Sequence, residues 1–353
     1  MTIMRNANIE RDYRLDYLKA ISILLVLVWH LQLFRFAVLK ESSTGLILHH
    51  FLNIFYSQVS LIAVPVFYIV SIYIFYSKKQ QGLSYFKSRI LRIFIIFAFW
   101  TGIQFLLFFA SAKSFYGSIP DFPLITTIIK GGPDLPYVFG SVFYFLSNML
   151  LLTCFSILYL KIGSEKNRET ISFTIIVAML VYFEFQNFYK GSIPYWRPDN
   201  FIIYIPIVYL LMRYPDKFIK YKWLYLAGYI GFSLQDIMLS SSIHFLFPYG
   251  RISICCGALA LFSIIHSYAS AQMKFVKFLS QYSLGIFALH KYWQLVTIVF
   301  ISKLFSMYSI KGVVLFGGIQ FSTFWFIVGV IAIFLTLVSV LLLGFTPLKK
   351  MVS

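Results

Sequence analysis

The stretch Arg14-Leu-Asp16-Tyr-Leu-Lys19-Ala-Ile-Ser-Ile-Leu-Leu-Val-Leu-Val-Trp-His30 decides how the chain is read. A cationic cluster opens a membrane-length apolar run, and a histidine sits near the middle of it. Lys19 and His30 are eleven residues apart, about three helical turns, so both fall on one helix face roughly 16 Å apart. A charge at the water boundary is thus followed by a titratable imidazole at hydrocarbon depth. Ionisable side chains there are costly and mark functional sites by default.

Composition points the same way. The chain has 353 residues, 60% hydrophobic and only 12% charged, with a mean hydropathy of +0.81. That excludes an ordinary soluble domain. Apolar runs long enough to cross about 30 Å of hydrocarbon recur along the whole length. The 40 Phe and 25 Tyr suit lipid-facing surfaces and interfacial belts. We expect an all-α, polytopic helical membrane protein forming a single domain over 1–353. About ten transmembrane helices are expected, near 17–36, 54–76, 93–112, 139–160, 171–187, 201–212, 223–240, 252–270, 281–301 and 322–345. The first run is too long, and too poor in a small-residue cleavage pattern, for a cleaved signal.

The net charge of +18 raises the question of nucleic acid, and its distribution answers it. With the N-terminus in the cytoplasm, 20 of the 30 basic residues fall on inner segments. Positive-inside bias accounts for the charge and places both termini in the cytoplasm. No soluble basic domain remains to hold a nucleic acid. Cys154, Cys255 and Cys256 all lie in expected spans without metal-ligand or disulfide spacing, so neither a metal site nor a bridge framework is indicated.

A second basic constellation, Phe86-Lys-Ser-Arg89-Ile-Leu-Arg92, opens the third expected span. Arg89 and Arg92 share a helix face, and guanidinium forks suit phosphate. The competing reading is that the pair is only a topology determinant at a membrane edge. Just before it, Val64-Pro65-Val66-Phe67-Tyr68-Ile-Val-Ser71 places a proline inside a span, where a freed carbonyl and a kink often border a cavity. Ser71 in such a helix ordinarily bonds the preceding turn. Late in the chain, Ser283-Leu-Gly-Ile-Phe-Ala-Leu-His290 repeats the device of a histidine inside a span, with Ser283 at a helix start. The loop 191–200 combines Tyr195 and Trp196 with Arg197 and Asp199, suited to stacking on a sugar or to interfacial anchoring. Glu184, Asp134 and Asp236 lie near outer span ends, and spacing does not choose among them.

Taken in order, these segments resemble the acyltransferase-3 family of integral membrane acyltransferases. The family's Asp-x-Leu-Arg, with a His eleven residues after the arginine, is similar to Asp16-Tyr-Leu-Lys19 followed by His30. Its Phe-Phe/Tyr-x-x-Ser-Gly stretch resembles Phe67-Tyr68-Ile-Val-Ser71-Ile72, and its basic pair resembles Arg89 and Arg92. Its late Ser-x-x-Ile-Tyr-x-x-His resembles the Ser283–His290 segment. Two positions depart: Lys19 keeps the charge of the family arginine but not its fork, and Ile72 replaces a glycine that lets helices approach closely.

The resemblance implies transfer of an acyl group, most often acetyl, from cytosolic acyl-coenzyme A to a hydroxyl of a sugar, polysaccharide or lipid-linked glycan. Acyl-coenzyme A is then a co-substrate, with no permanently bound cofactor. It implies Lys19, Arg89 and Arg92 at the coenzyme phosphates and His30 as general base. Asp16, Tyr68, Ser71, Ser283 and His290 would line the substrates. It also implies a multi-pass protein of the inner or plasma membrane, in contact with membrane lipids. Two other classes compete: a glycan or lipid exporter with His30 in a proton relay, and a membrane scaffold in which His30 and His290 only bond between helices. Against transport, no inverted repeat or matched pair of broken helices is visible.

Overall fold

A computed structural model of the chain describes residues 12–33, 36–38, 51–78, 82–116, 143–189, 194–242, 248–308, 314–316 and 319–353. The expectations for Asp134, for residues 191–193 and for basic residues such as Lys40, Lys79 and Lys190 lie outside the described residues. The described residues are helical almost throughout. In chain order the helices are α1 (Tyr13–Leu31), α2 (Phe51–Ser77), α3 (Gly82–Tyr116), α4 (Tyr144–Leu160), α5 (Glu165–Phe188), α6 (Tyr204–Arg213) and α7 (Pro215–Lys220). They continue with α8 (Lys222–Ser242), α9 (Ile252–Tyr268), α10 (Lys274–Gln281), α11 (Ser283–Met307), α12 (Thr323–Gly344) and α13 (Lys349–Val352).

Each expected span falls on a helix, but the helices are not equivalent. Among the described residues, four of them, α2, α5, α11 and α12, are long and apolar enough to cross a membrane. The expected span at 201–212 is corrected by α6, whose ten residues rise only about 15 Å, half a hydrocarbon layer. Tyr214-Pro215 ends it, because proline cannot continue the hydrogen-bond ladder. The described residues also hold a small sheet that was not expected. Strands β1 (Phe36–Val38), β2 (Val314–Phe316) and β3 (Ile319–Phe321) pair antiparallel in the order β1-β3-β2. Phe36 faces Phe321 in register, and Val314 pairs with Phe321 from the other edge. The sheet thus ties the segment after α1 to the α11–α12 connection.

Local chemistry sets the helix ends. Asp12 caps α1, its carboxylate accepting the Arg14 backbone N–H at 2.9 Å. Ser164 and Ser322 cap α5 and α12 in the same way. The far end of α1 comes sooner than the sequence implied. Gln32 turns into the left-handed region (φ 46°) and bonds back to the Val28 carbonyl. His30 therefore stands in the last turn of α1, not midway along it.

α1 is the central helix, packed against α2, α9, α10, α11 and α12. Leu18, Ile23, Val26, Leu27 and Leu31 are buried along it. α2 is also interior and carries a π turn over Phe55–Val59. α5 is the opposite case. Phe173, Val177, Val181 and Phe185, spaced four apart, are each more than half exposed. A stripe of that size is unfavourable in water and ordinary in hydrocarbon.

Candidate active site

Two ends of the bundle carry the chemistry. At the first, the start of α1 meets the ends of α2 and α9. Arg14 Nη1 donates to His266 Nε2 at 3.1 Å, so that nitrogen is the acceptor and the imidazole proton sits on Nδ1. His266 stacks on Phe262, which in turn packs against Tyr73 of α2. Asp16, two residues further along α1, is buried at 3% exposure. Its carboxylate accepts Ser280 Oγ at 2.6 Å and Gln272 Nε2 at 2.8 Å, fastening α1 to α10. Lys19 is half-buried on the following turn.

The arginine pair of α3 belongs to this end. Arg89 Nη2 donates to Ser71 Oγ at 2.7 Å and to the Ser71 carbonyl at 3.4 Å. Ser71 therefore receives a guanidinium instead of turning back on its own helix. Arg89 Nε is buried without an acceptor among the described residues. Arg92 is exposed and donates to the Ser353 carbonyl at 3.0 Å. Ser283 begins α11, with its hydroxyl donating to the Ser280 carbonyl at 3.0 Å. Ile72, where the resembled pattern has glycine, is buried in the core.

The second end centres on two imidazoles. His30 of α1 and His290 of α11 lie with ring centroids 5.1 Å apart, tilted by 43°. They are 260 residues apart in sequence, and the parallel run of α1 and α11 brings them level. His290 is fully buried. Its Nδ1 lies 2.8 Å from the Phe287 carbonyl and 3.2 Å from that of Ile286. A carbonyl only accepts, so Nδ1 carries the proton and Nε2 keeps its lone pair. That Nε2 has no partner among the described residues. A buried imidazole held in one tautomer, with an unfilled acceptor, is equipped to receive a hydroxyl or imidazole proton.

Tyr68 does not join this pair. It is fully buried in α2, its ring between Phe145 (4.9 Å) and Phe201 (4.5 Å) and its hydroxyl donating to the Phe145 carbonyl at 3.3 Å. Trp29 and Tyr56, 6.3 Å apart, do flank the end of α1 that carries His30.

Sequence reasoning missed two groups. Lys291 Nζ donates to the His30 carbonyl at 3.2 Å and to Gln294 Oε1 at 2.9 Å, and Gln294 Nε2 returns to the same carbonyl at 3.1 Å. The signal was present, because a lysine directly after an intramembrane histidine is itself an ionisable group in a span. The other is Arg251, 1% exposed at the start of α9. Its Nη1 meets Asp236 Oδ2 at 3.0 Å and its Nη2 meets the Ser57 carbonyl at 2.7 Å, inside the π turn of α2. Ser253 and Gln58 complete the donors around Asp236. No motif announces this cluster, since its members come from three helices. Among the described residues, no group of three or more His, Cys, Asp or Glu stands where it could hold a metal ion.

The sequence profile of the acyltransferase-3 family, an acyltransferase domain, matches residues 12–344. The chain belongs to the acyltransferase-3 family. No curated protein and no solved structure matches it. As an acyltransferase, it must bring an acyl donor and an acceptor together, and His30 and His290 both lie within the matched range.

Proposed function

We propose that this acyltransferase moves an acyl group, most simply acetyl, from acyl-coenzyme A to a hydroxyl of a sugar, polysaccharide or lipid-linked glycan. The observation that carries the reading is the His30–His290 ring pair at one end of a central helix whose other end gathers cations. Lys19 and His30 are separated by a helical rise of about 16 Å, comparable with an extended pantetheine arm. Lys19, Arg89 and Arg92 hold the coenzyme phosphates, and the buried Arg89 Nε supplies a donor still without an acceptor among the described residues. Asp16, Ser71 and Ser283 fix the helices around this seat.

His30 takes the proton of the acceptor hydroxyl as that oxygen attacks the thioester carbonyl. Collapse of the tetrahedral adduct breaks the carbon–sulfur bond, and the coenzyme thiolate leaves and takes up the proton. His290, its lone pair turned inward, accepts a hydrogen bond from the acceptor hydroxyl or from His30. The protein crosses the inner or plasma membrane several times with both termini cytoplasmic, which presents the cationic end to cytosolic coenzyme. The shared position of the start of α1 and of residues 349–353 at that end supports this orientation.

The test is release of coenzyme A thiol by purified protein in lipid, offered acetyl-, succinyl- and palmitoyl-coenzyme A. We expect slow turnover that His30→Ala removes, and weaker coenzyme binding in an Arg89→Ala/Arg92→Ala double variant. Full turnover by His30→Ala at normal protein levels would refute the role of the imidazole. No binding and no turnover with any donor would favour the exporter reading instead.

A further inference from the structure

One charged group close to the imidazoles takes no part in the chemistry above. Lys291 follows His290 on α11 and is half-buried. The acceptors of its ammonium are both neutral, the His30 carbonyl and Gln294 Oε1. The His30 carbonyl needs a cap, because it is among the last four of α1, which helix geometry leaves without an intrahelical donor. Gln294 Nε2 already supplies one at 3.1 Å. A neutral residue at 291 would complete such a cap without the cost of desolvating a cation in an apolar layer. The lysine therefore adds something the cap does not need, a fixed positive charge beside two imidazoles. The favourable pole of the α1 dipole lends it modest support there.

Acyl transfer creates a need for such a charge. When the acceptor oxygen bonds to the acyl carbon, the carbonyl electron pair moves onto oxygen, and the resulting oxyanion returns it as the carbon–sulfur bond breaks. A donor positioned in advance for that transient charge lowers the barrier without being consumed. We propose that Lys291 is the oxyanion-stabilising group of this enzyme, with Gln294 and the end carbonyl of α1 fixing its ammonium beside His30 and His290. The ammonium donates a hydrogen bond to the oxyanion and keeps its proton. The proposal rests on the acyltransferase reading and fails separately from it.

Lys291→Gln keeps a donor for the helix cap and loses the charge, and Lys291→Arg keeps the charge. Both are compared with wild type in lipid for thiol release from whichever of the three acyl-coenzyme A donors wild type uses, alongside the melting temperature. We expect Lys291→Gln to lose about 10²–10³-fold in kcat, the usual effect of removing one oxyanion donor. KM for the donor and the melting temperature should stay close to wild type, and Lys291→Arg should recover most of the loss. A folded Lys291→Gln with wild-type kcat overturns the proposal, as does a loss confined to KM. If Lys291→Gln does not fold, Lys291→Arg decides: folded with near wild-type kcat supports the charge, and folded but inactive overturns it. Wild type that turns over no donor removes the acyltransferase reading and this inference together. Turnover lost in His30→Ala but kept in Lys291→Gln removes this inference alone.

Discussion

Arg251 and Lys291 are both cations within helical packing, and their surroundings differ in kind. Arg251 faces a carboxylate, with Asp236 at 3.0 Å and both side chains nearly inaccessible. Removing one partner of such a pair leaves a buried charge without compensation, which costs about 3–5 kcal/mol. Arg251→Met should therefore lower the melting temperature sharply, while Arg251→Met/Asp236→Leu should recover a large part of the loss. A double variant no more stable than the single one would show that Arg251 acts chiefly through the Ser57 carbonyl. The two histidines were legible in the sequence because each interrupts an apolar run by itself. Arg251 was not, because its meaning depends on Asp236 fifteen residues earlier and on a π turn nearly two hundred residues earlier. Ser71 was assigned to its own helix for a similar reason, since nothing local announces a guanidinium arriving from α3.

At the scale of elements, the first turn of α11 is where close approach matters most. A Cβ on Gly285 would stand 2.6 Å from Val352 Cβ and 2.9 Å from Val340 Cγ1. α13 sits against that turn, its Met351 carbonyl accepting Trp100 Nε1 at 2.9 Å and the Ser353 carbonyl accepting Arg92. Gly285→Val should push α13 off the bundle at about 1–3 kcal/mol, the usual range for overpacking. Carboxypeptidase should then remove residues 349–353 much faster than in wild type, and Trp100 emission should shift. Unchanged digestion would show that α13 adapts to the added bulk. Helix positions were legible because apolar runs and caps are local signals. Helix lengths were less so. α6 has the composition of a full span, yet its apolar residues are buried by α2 and α5, a distinction composition does not carry.

For the whole molecule, the packing divides the described residues into two ends. The start of α1, the end of α9 and α13 lie at one, and the starts of α4 and α9 lie at the other, where Tyr144 and Tyr249 share a hydrogen bond of 2.9 Å. Single cysteines at Asp12 and Ser353 should therefore label from the same face of sealed vesicles. A cysteine at Arg197, beside the second end, should label from the opposite face. The background needs Cys154, Cys255 and Cys256 replaced by Ala. Labelling of Asp12→Cys and Ser353→Cys from opposite faces would overturn this arrangement. The bias in basic residues is the sign that the sequence offers of two ends. The pairing of α1 with α11 has no such sign, since contacts across 260 residues leave no periodic trace. That pairing also has a consequence in time. The end of α1 leaves the ribosome long before α11 does, and its His30 carbonyl finds Lys291 and Gln294 only after 261 and 264 further residues. Through most of synthesis the first histidine waits without its partner, so a nascent chain stopped before α11 lacks the paired imidazoles altogether.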